Sequence, residues 1–144
     1  MKKVIALCLI VVLCFSLAAC SAGFKTQTVQ LGNGETPTVS ISGSKGYSFE
    51  LRNGEIQFMK NEQTVATGRW QAMEFYSQYI NSLENEYEEI NVTNKKADWR
   101  IFQSRTSPDK VVMILEYNNK KVFFYAVSNT LEDAKNIAQC AKVK

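Results

Sequence analysis

The chain has 144 residues, 45% hydrophobic and 11% aromatic, with 17 Lys and Arg against 14 Asp and Glu, no histidine and a formal net charge of +3. That length suits one domain with a sizeable core. The near balance of charge gives no electrostatic footprint for nucleic acid, and the lack of histidine removes Ser-His-Asp and Cys-His sets and His-ligated zinc.

Lys2 and Lys3 open the chain, Val4 to Phe15 is an almost unbroken apolar run, and Ser16 leads into Leu17-Ala18-Ala19-Cys20 and Ser21-Ala22-Gly23. A positive start, an apolar middle and small residues at a cut site are the three parts of a secretory signal. The run is shorter than the about 20 residues of a comfortable membrane span. An ordinary signal peptide with a nearby cysteine, or a short N-terminal membrane helix, would use the same residues. Leu17-Ala18-Ala19-Cys20 resembles the lipobox of bacterial lipoproteins. The resemblance implies diacylglycerol transfer to the Cys20 thiol and cleavage before it. It implies a protein anchored by lipid on the extracytoplasmic face of a bacterial membrane, periplasmic or at the cell surface. Two acyl chains anchor stably, because each buried methylene contributes about 0.8 kcal/mol. The expected organisation is a signal peptide over 1–19, a lipidated N-terminus and flexible tether over 20–45, and one domain over 46–144.

Without residues 1–19 the chain keeps 125 residues and 15 basic against 14 acidic side chains. Cys8 and Cys14 leave with the signal and Cys20 carries the lipid, so Cys140 alone remains and no internal disulfide is available. Its place near the end of an amphipathic segment favours packing over reactivity. Ser21 to Lys45 is rich in Ser, Thr, Gly, Gln and Asn and reads as a tether. Thr38-Val39-Ser40-Ile41-Ser42 alternates and is a candidate edge strand; Thr28 to Leu31 is a weaker one.

Tyr47-Ser48-Phe49-Glu50-Leu51 alternates with period two. Asn53-Gly54 then suits a type I′ hairpin, which sets Leu51 beside Ile56 and Phe49 beside Phe58. A second turn at Asn61-Glu62 leads to Gln63–Thr67, with Val65 beside Phe58. From Trp70 to about Tyr87 the period becomes helical: Trp70, Met73, Tyr76, Ile80, Leu83 and Tyr87 share one face. Tyr76 and Tyr79 fit either core packing or a ligand shelf. Glu84, Glu86, Glu88 and Glu89 crowd the end of that helix, where the macrodipole disfavours them, so the helix should end between Glu84 and Glu89.

Ile90 and Val92 suggest a strand, and Trp99 to Gln103 another. Ser107-Pro108-Asp109 reads as a type I turn. Val111–Tyr117 and Lys120–Val127 make a long hairpin around Asn118-Asn119. Val111, Met113, Leu115, Tyr117, Val122 and Phe124 fall on one face, and Val112, Ile114, Phe123, Tyr125 and Val127 on the other. Two apolar faces predict central strands covered on both sides. Thr130 and Asp133 suit the N-terminus of a last helix whose apolar face is Leu131, Ala134, Ile137, Ala138 and Ala141, with Lys142 and Lys144 at its C-terminal end.

The fold class is therefore α+β: an antiparallel sheet of about six to eight strands in the order meander, helix, meander, C-terminal helix, with the helices packed on the sheet. Three stretches resemble the PsbP-like fold: Tyr47-Ser48-Phe49-Glu50, the helix from Trp70, and Lys121-Val122-Phe123-Phe124-Tyr125 running into Leu131 to Ile137. The proline-tryptophan element often found early in such domains is absent, and a cystatin-like helix-on-sheet fold is the rival. Such proteins are mostly noncatalytic accessory or binding modules, which the resemblance implies here.

Chemistry-bearing sets are few. No Walker loop, dinucleotide fingerprint or four-thiolate zinc site occurs, and no cofactor is expected. The Glu84–Glu89 carboxylates are the one candidate for acid-base work or weak cation binding, though they lack calcium-loop spacing. Lys95, Lys96, Arg100, Arg105, Lys110, Lys120 and Lys121 form a basic stretch, read as solvated surface or as a face toward anionic lipid or polymer. The expected function is a noncatalytic, lipid-anchored binding module. Its partners are the membrane and an envelope protein, polymer or small ligand. An exposed patch at Trp99, Tyr117 or Tyr125 would favour that reading. The alternatives are an inhibitor of an envelope or host hydrolase, using the turn at Thr106 to Lys110, and an envelope enzyme using carboxylates.

Overall fold

The computed structural model describes residues 24–32, 34–117 and 121–143. The expected signal peptide over 1–19, Cys20, the Asn118-Asn119 turn and Lys144 lie outside the described residues. Strands β1 (Phe24–Thr28), β2 (Thr38–Ser42), β3 (Tyr47–Arg52), β4 (Glu55–Lys60) and β5 (Gln63–Ala72) come first. A short 3-10 turn at Met73–Phe75 leads into α1 (Tyr76–Glu86), then β6 (Tyr87–Ile90), β7 (Arg100–Ser104), β8 (Val111–Glu116) and β9 (Val122–Ser128). Helix α2 (Leu131–Cys140) and β10 (Ala141–Val143) follow. Seven strands form one antiparallel sheet in the order β3-β4-β5-β9-β8-β7-β6, and β1-β2-β10 form a second, smaller sheet. The class is α+β, with both helices packed on the large sheet.

The first hairpin follows the register expected from Asn53-Gly54. Phe49 pairs with Phe58 and Leu51 with Ile56. Asn53 and Gly54 take φ of 52° and 80°, as a type I′ turn requires. The Asn61-Glu62 turn repeats that geometry, with φ of 50° and 65°. A bulge after Phe58 shifts the next pairing, so Ala66 rather than Val65 sits beside Phe58. The extra residue is Val65, which remains half-buried.

Three expectations need correction. The helix does not begin at Trp70. Residues Ala66 to Ala72 pair in an unbroken ladder with β9, placing Trp70 beside Phe124, and these strand contacts override the helical spacing. Helix α1 starts six residues later and ends at Glu86, inside the acidic cluster. Second, 20–45 is not a coil over its described part. β1 and β2 form a hairpin, and Val29, Val39 and Ile41 join the main core. The alternation of Thr38 to Ser42 marked this strand, but the polar composition around it concealed the sheet. Third, Ala141 and Lys142 do not continue the last helix. They form β10, pairing with Ile41 and Ser40.

The two faces of the large sheet are covered differently. One carries Tyr47, Phe49, Ile56, Phe58, Met113, Leu115, Phe124 and Ala126, buried beneath α2 and the small sheet. Trp99 is fully buried there, and its indole Nε1 donates to the Ala141 carbonyl at 3.0 Å, tying β10 down. Thr130 caps α2: its hydroxyl accepts from the Asp133 amide at 3.0 Å and donates to the Asp133 carboxylate at 2.7 Å. The other Asp133 oxygen accepts from the Tyr47 hydroxyl at 2.7 Å, fixing the helix start to β3. Cys140 is buried and its thiol is pushed up to about 11 by that burial, in keeping with a packing role.

Gly68 sits under Phe124. A Cβ on Gly68 would lie 2.4 Å from Phe124 Cζ and 2.7 Å from Ala126 Cβ. Gly68→Ala is therefore expected to destabilise the domain by about 1–3 kcal/mol through overpacking. Glu62→Gly is expected to do the reverse. Relief of a left-handed residue contributes about 1–2 kcal/mol, and the added freedom of the unfolded chain removes about 0.4–1 kcal/mol. Denaturant midpoints of both variants check these opposite signs. A thiol probe should react with Cys140 only on unfolding, and Cys140→Ser should leave the oligomeric state unchanged; rapid labelling of the native protein would refute the packing role.

Candidate functional site

The second face of the large sheet is only partly closed. Helix α1 has 11 residues, a length of about 16 Å, and lays Ile80 and Leu83 onto Phe102, Val112, Ile114 and Phe123. Beyond it the β3-β4-β5 half of the same face has no covering element among the described residues. It presents Glu50, Arg52, Glu55, Gln57 and Thr67 along the β3-β4-β5 register, with Arg69 on the same face beside Tyr125. Val127, next to the last residue of β9 and paired with Thr67, remains 47% exposed. The long hairpin was expected to be covered on both faces; the second cover stops short of this residue.

Tyr76 and Tyr79 stack edge-on against Phe123 at 5.3 and 5.5 Å, and Tyr79 also meets Tyr125 at 5.0 Å. Both tyrosines are half-buried. Their rings complete the core while their outer edges line two clefts flanking α1, each of about 420 Å³. The first cleft is bordered by Gln71, Phe75, Gln78, Tyr79 and Ser82, none of them charged. Phe75 is 45% exposed at its rim. An apolar ring, two amides and a hydroxyl can hold a ligand with both nonpolar and hydrogen-bonding surfaces.

The second cleft is ionic. Tyr76, Lys95, Asp98, Arg100, Glu116 and Tyr117 line it with Ile114. Arg100 is the fixed point. Its Nε and Nη2 donate to the two Glu89 oxygens at 2.9 and 2.7 Å, its Nη2 is 3.6 Å from Glu84, and its guanidinium lies 4.9 Å from the Phe102 ring centre. This fork holds the Glu89 carboxyl below the usual carboxylate range and raises the Arg100 guanidinium further. Burial pushes the Tyr76 phenol up, and its hydrogen bond to Glu116 adds to that rise. Lys95 donates to the Trp99 carbonyl at 2.7 Å.

The acidic cluster does not converge. Glu84 and Glu89 meet at Arg100, Glu86 is exposed at the helix end, and Glu88 alternates to the other side of β6. Among the described residues no three His, Cys, Asp or Glu side chains are grouped to hold a metal ion. The turn at 106–110 is folded on itself: Ser104 Oγ accepts from the Ser107 amide at 3.1 Å, and Gln103 Nε2 donates to the Pro108 carbonyl at 2.9 Å. The candidate aromatic patch divides. Trp99 is buried, while Tyr117 and Tyr125 are half-buried. Gln71 and Gln78 carry no signal in the sequence; Phe75 falls within the helix expected from Trp70, which in fact begins after it.

No described helix is long and apolar enough to cross a membrane. No family model, curated protein or solved structure matches the chain.

In an Arg100→Gln variant the Glu89 pKa should rise toward the ordinary carboxylate value, followed by NMR titration. Because Glu89 is depressed in the folded state, any stability it contributes is present above its unfolded pKa, about 4.3, and disappears as pH falls through the folded value. The stability difference between wild type and variant should therefore shrink below about pH 4. A Glu89 titration unchanged by the substitution would refute the pairing.

Proposed function

We propose that this is a lipid-anchored, noncatalytic binding or accessory protein held on the extracytoplasmic face of a bacterial membrane. The observation that carries the reading is the apolar run ending in Leu17-Ala18-Ala19-Cys20. Its parts suit export, and its cysteine suits attachment of two acyl chains. The binding half of the proposal is supported by the partly open sheet face, where Val127 is exposed, and by two clefts, one with exposed Phe75 beside amide groups and one lined by charged groups. The noncatalytic half is supported by the divergence of the Glu84–Glu89 carboxylates and the ion pairing of two of them. The PsbP-like likeness belongs to the same proposal, supported by the order of meander, helix, meander and terminal helix. The partner is an envelope protein, a polymer or a small ligand that fits the flanks of α1.

The test is Cys20→Ala expressed in a bacterial host fed a labelled fatty acid. Wild type should take up label and partition with membranes, whereas the variant should take up none and appear unprocessed or shed. Equal labelling and retention of the two proteins would overturn the anchor.

A further inference from the structure

The described chain starts close to Cys20. Three residues separate Cys20 from Phe24, the first residue of β1. Even fully extended, that spacing reaches no more than roughly 14 Å. A long tether between lipid and domain is therefore not available, and the position of Phe24 decides which end of the domain lies nearest the lipid.

That position is fixed by register. Phe24 pairs with Ser42, and Ser42 is joined through a tight turn at Gly43–Lys45 to Tyr47. Tyr47 pairs with Lys60, which pairs with Gln63. Lys60 lies 5.1 Å from the centre of the Tyr47 ring. Lys45 donates to Asn136 at 2.8 Å, and Asn136 donates to the Tyr47 hydroxyl at 3.4 Å. These residues mark one end of the domain. Glu62 and Glu132 share it, with Asp133 bonded to Tyr47 and Thr130. The opposite end of the β1–β2 hairpin carries Glu35, paired with Lys121 at 3.1 Å. Lys121 is next to Val122, whose carbonyl accepts from the Tyr117 amide at 3.1 Å, so the cleft containing Glu116 and Tyr117 belongs to that far end.

We infer that the end formed by Lys45, Tyr47, Lys60 and the Asn61–Glu62 turn rests on the bilayer surface, with Lys45 and Lys60 meeting lipid phosphates, and that the Tyr76–Arg100–Glu116 cleft is held at the opposite end, facing away from the membrane. This rests on the lipid anchor proposed above. The covalent reach of the anchor orients the domain, and the two ammonium groups offset the like charge that Glu62 and Glu132 bring toward an anionic headgroup layer.

Single cysteines at Gln63 and Arg52, both exposed, test the orientation. They lie toward opposite ends of the β3-β4-β5 meander, with a strand run of about 17 Å between the two levels. Buried Cys140 does not compete for label. The lipidated chain, labelled with a fluorophore at either site, is placed in phosphatidylglycerol–phosphatidylethanolamine vesicles containing a headgroup quencher. Quenching should be at least twofold stronger at 63 than at 52, and a Lys45→Gln/Lys60→Gln variant should reduce it at 63. Equal quenching, or stronger quenching at 52, overturns the orientation; an unchanged value in the lysine variant removes the phosphate contact. Intact mass of the same samples shows whether Cys20 carries lipid, so a failed anchor is distinguished from a failed orientation.

Discussion

The contact on which the rest of the structure depends is Phe124 over Gly68. Three further aromatic rings converge on Phe124: Trp70 at 5.1 Å, Trp99 at 6.0 Å and Phe58 at 6.3 Å. Phe58 belongs to the first meander, Trp70 to the strand joining the meanders, and Trp99 to the segment leading into the second. A side chain at 68 would drive Phe124 out of this junction. The missing Cβ thus lets one ring on β9 pack against β4, β5 and the segment that leads into β7. Trp99 extends the junction to the small sheet through its bond to the Ala141 carbonyl. No disulfide occurs among the described residues, where Cys140 is a free thiol, so cohesion rests on such packing.

Two-residue periodicity made most of the large sheet legible. The β3–β4 and β8–β9 pairings are local, and their turn residues and alternating faces specify the partners directly. The small sheet was concealed because its evidence is divided. β1 and β2 lie near the start of the described chain, whereas β10 consists of three residues at the other end. Only Val39 and Ile41 alternate clearly in β2, and neither reveals a partner a hundred residues away. Trp70 misled for a related reason. Its spacing to Met73 and Tyr76 is helical, but seven consecutive pairs with β9 hold it in a strand. Long-range pairing decides such borders, and a local window contains no record of it.

The candidate site was legible in composition and not in geometry. Tyr76 and Tyr79 invited two readings, packing or ligand contact, and the structure joins them. Each ring packs on Phe123 by its edge while its remaining surface borders a cleft. The basic stretch from Lys95 onward similarly divides on folding. Arg100 turns to Glu89 and Glu84, Arg105 donates to the Asn85 carbonyl at 2.9 Å, and Lys95 bonds to the backbone of Trp99. Within a linear run of positive charge, Arg100 and Arg105 become ties from β7 and the residue after it to β6 and the end of α1. The exposed pairs contribute modestly to stability, since water screens them. Their geometric consequence is larger, because they fasten the end of α1 to the edge of the sheet at β6 and β7.

The two sheet faces therefore differ in what they can do. The face under α2 and the small sheet is closed by two elements that are themselves fastened, one through Thr130, Asp133 and Tyr47 and the other through Trp99. Moving either element would expose Phe58, Phe124 and Met113 together, at a cost that scales with the apolar area uncovered. The other face is closed by one short helix, of which only Ile80 and Leu83 are buried. A ligand in the first cleft can meet Phe75 and Tyr79 without disturbing the main core. Occupancy of the flanks of α1 would thus be physically separable from the packing that maintains the fold, and the proposed binding role needs that separation.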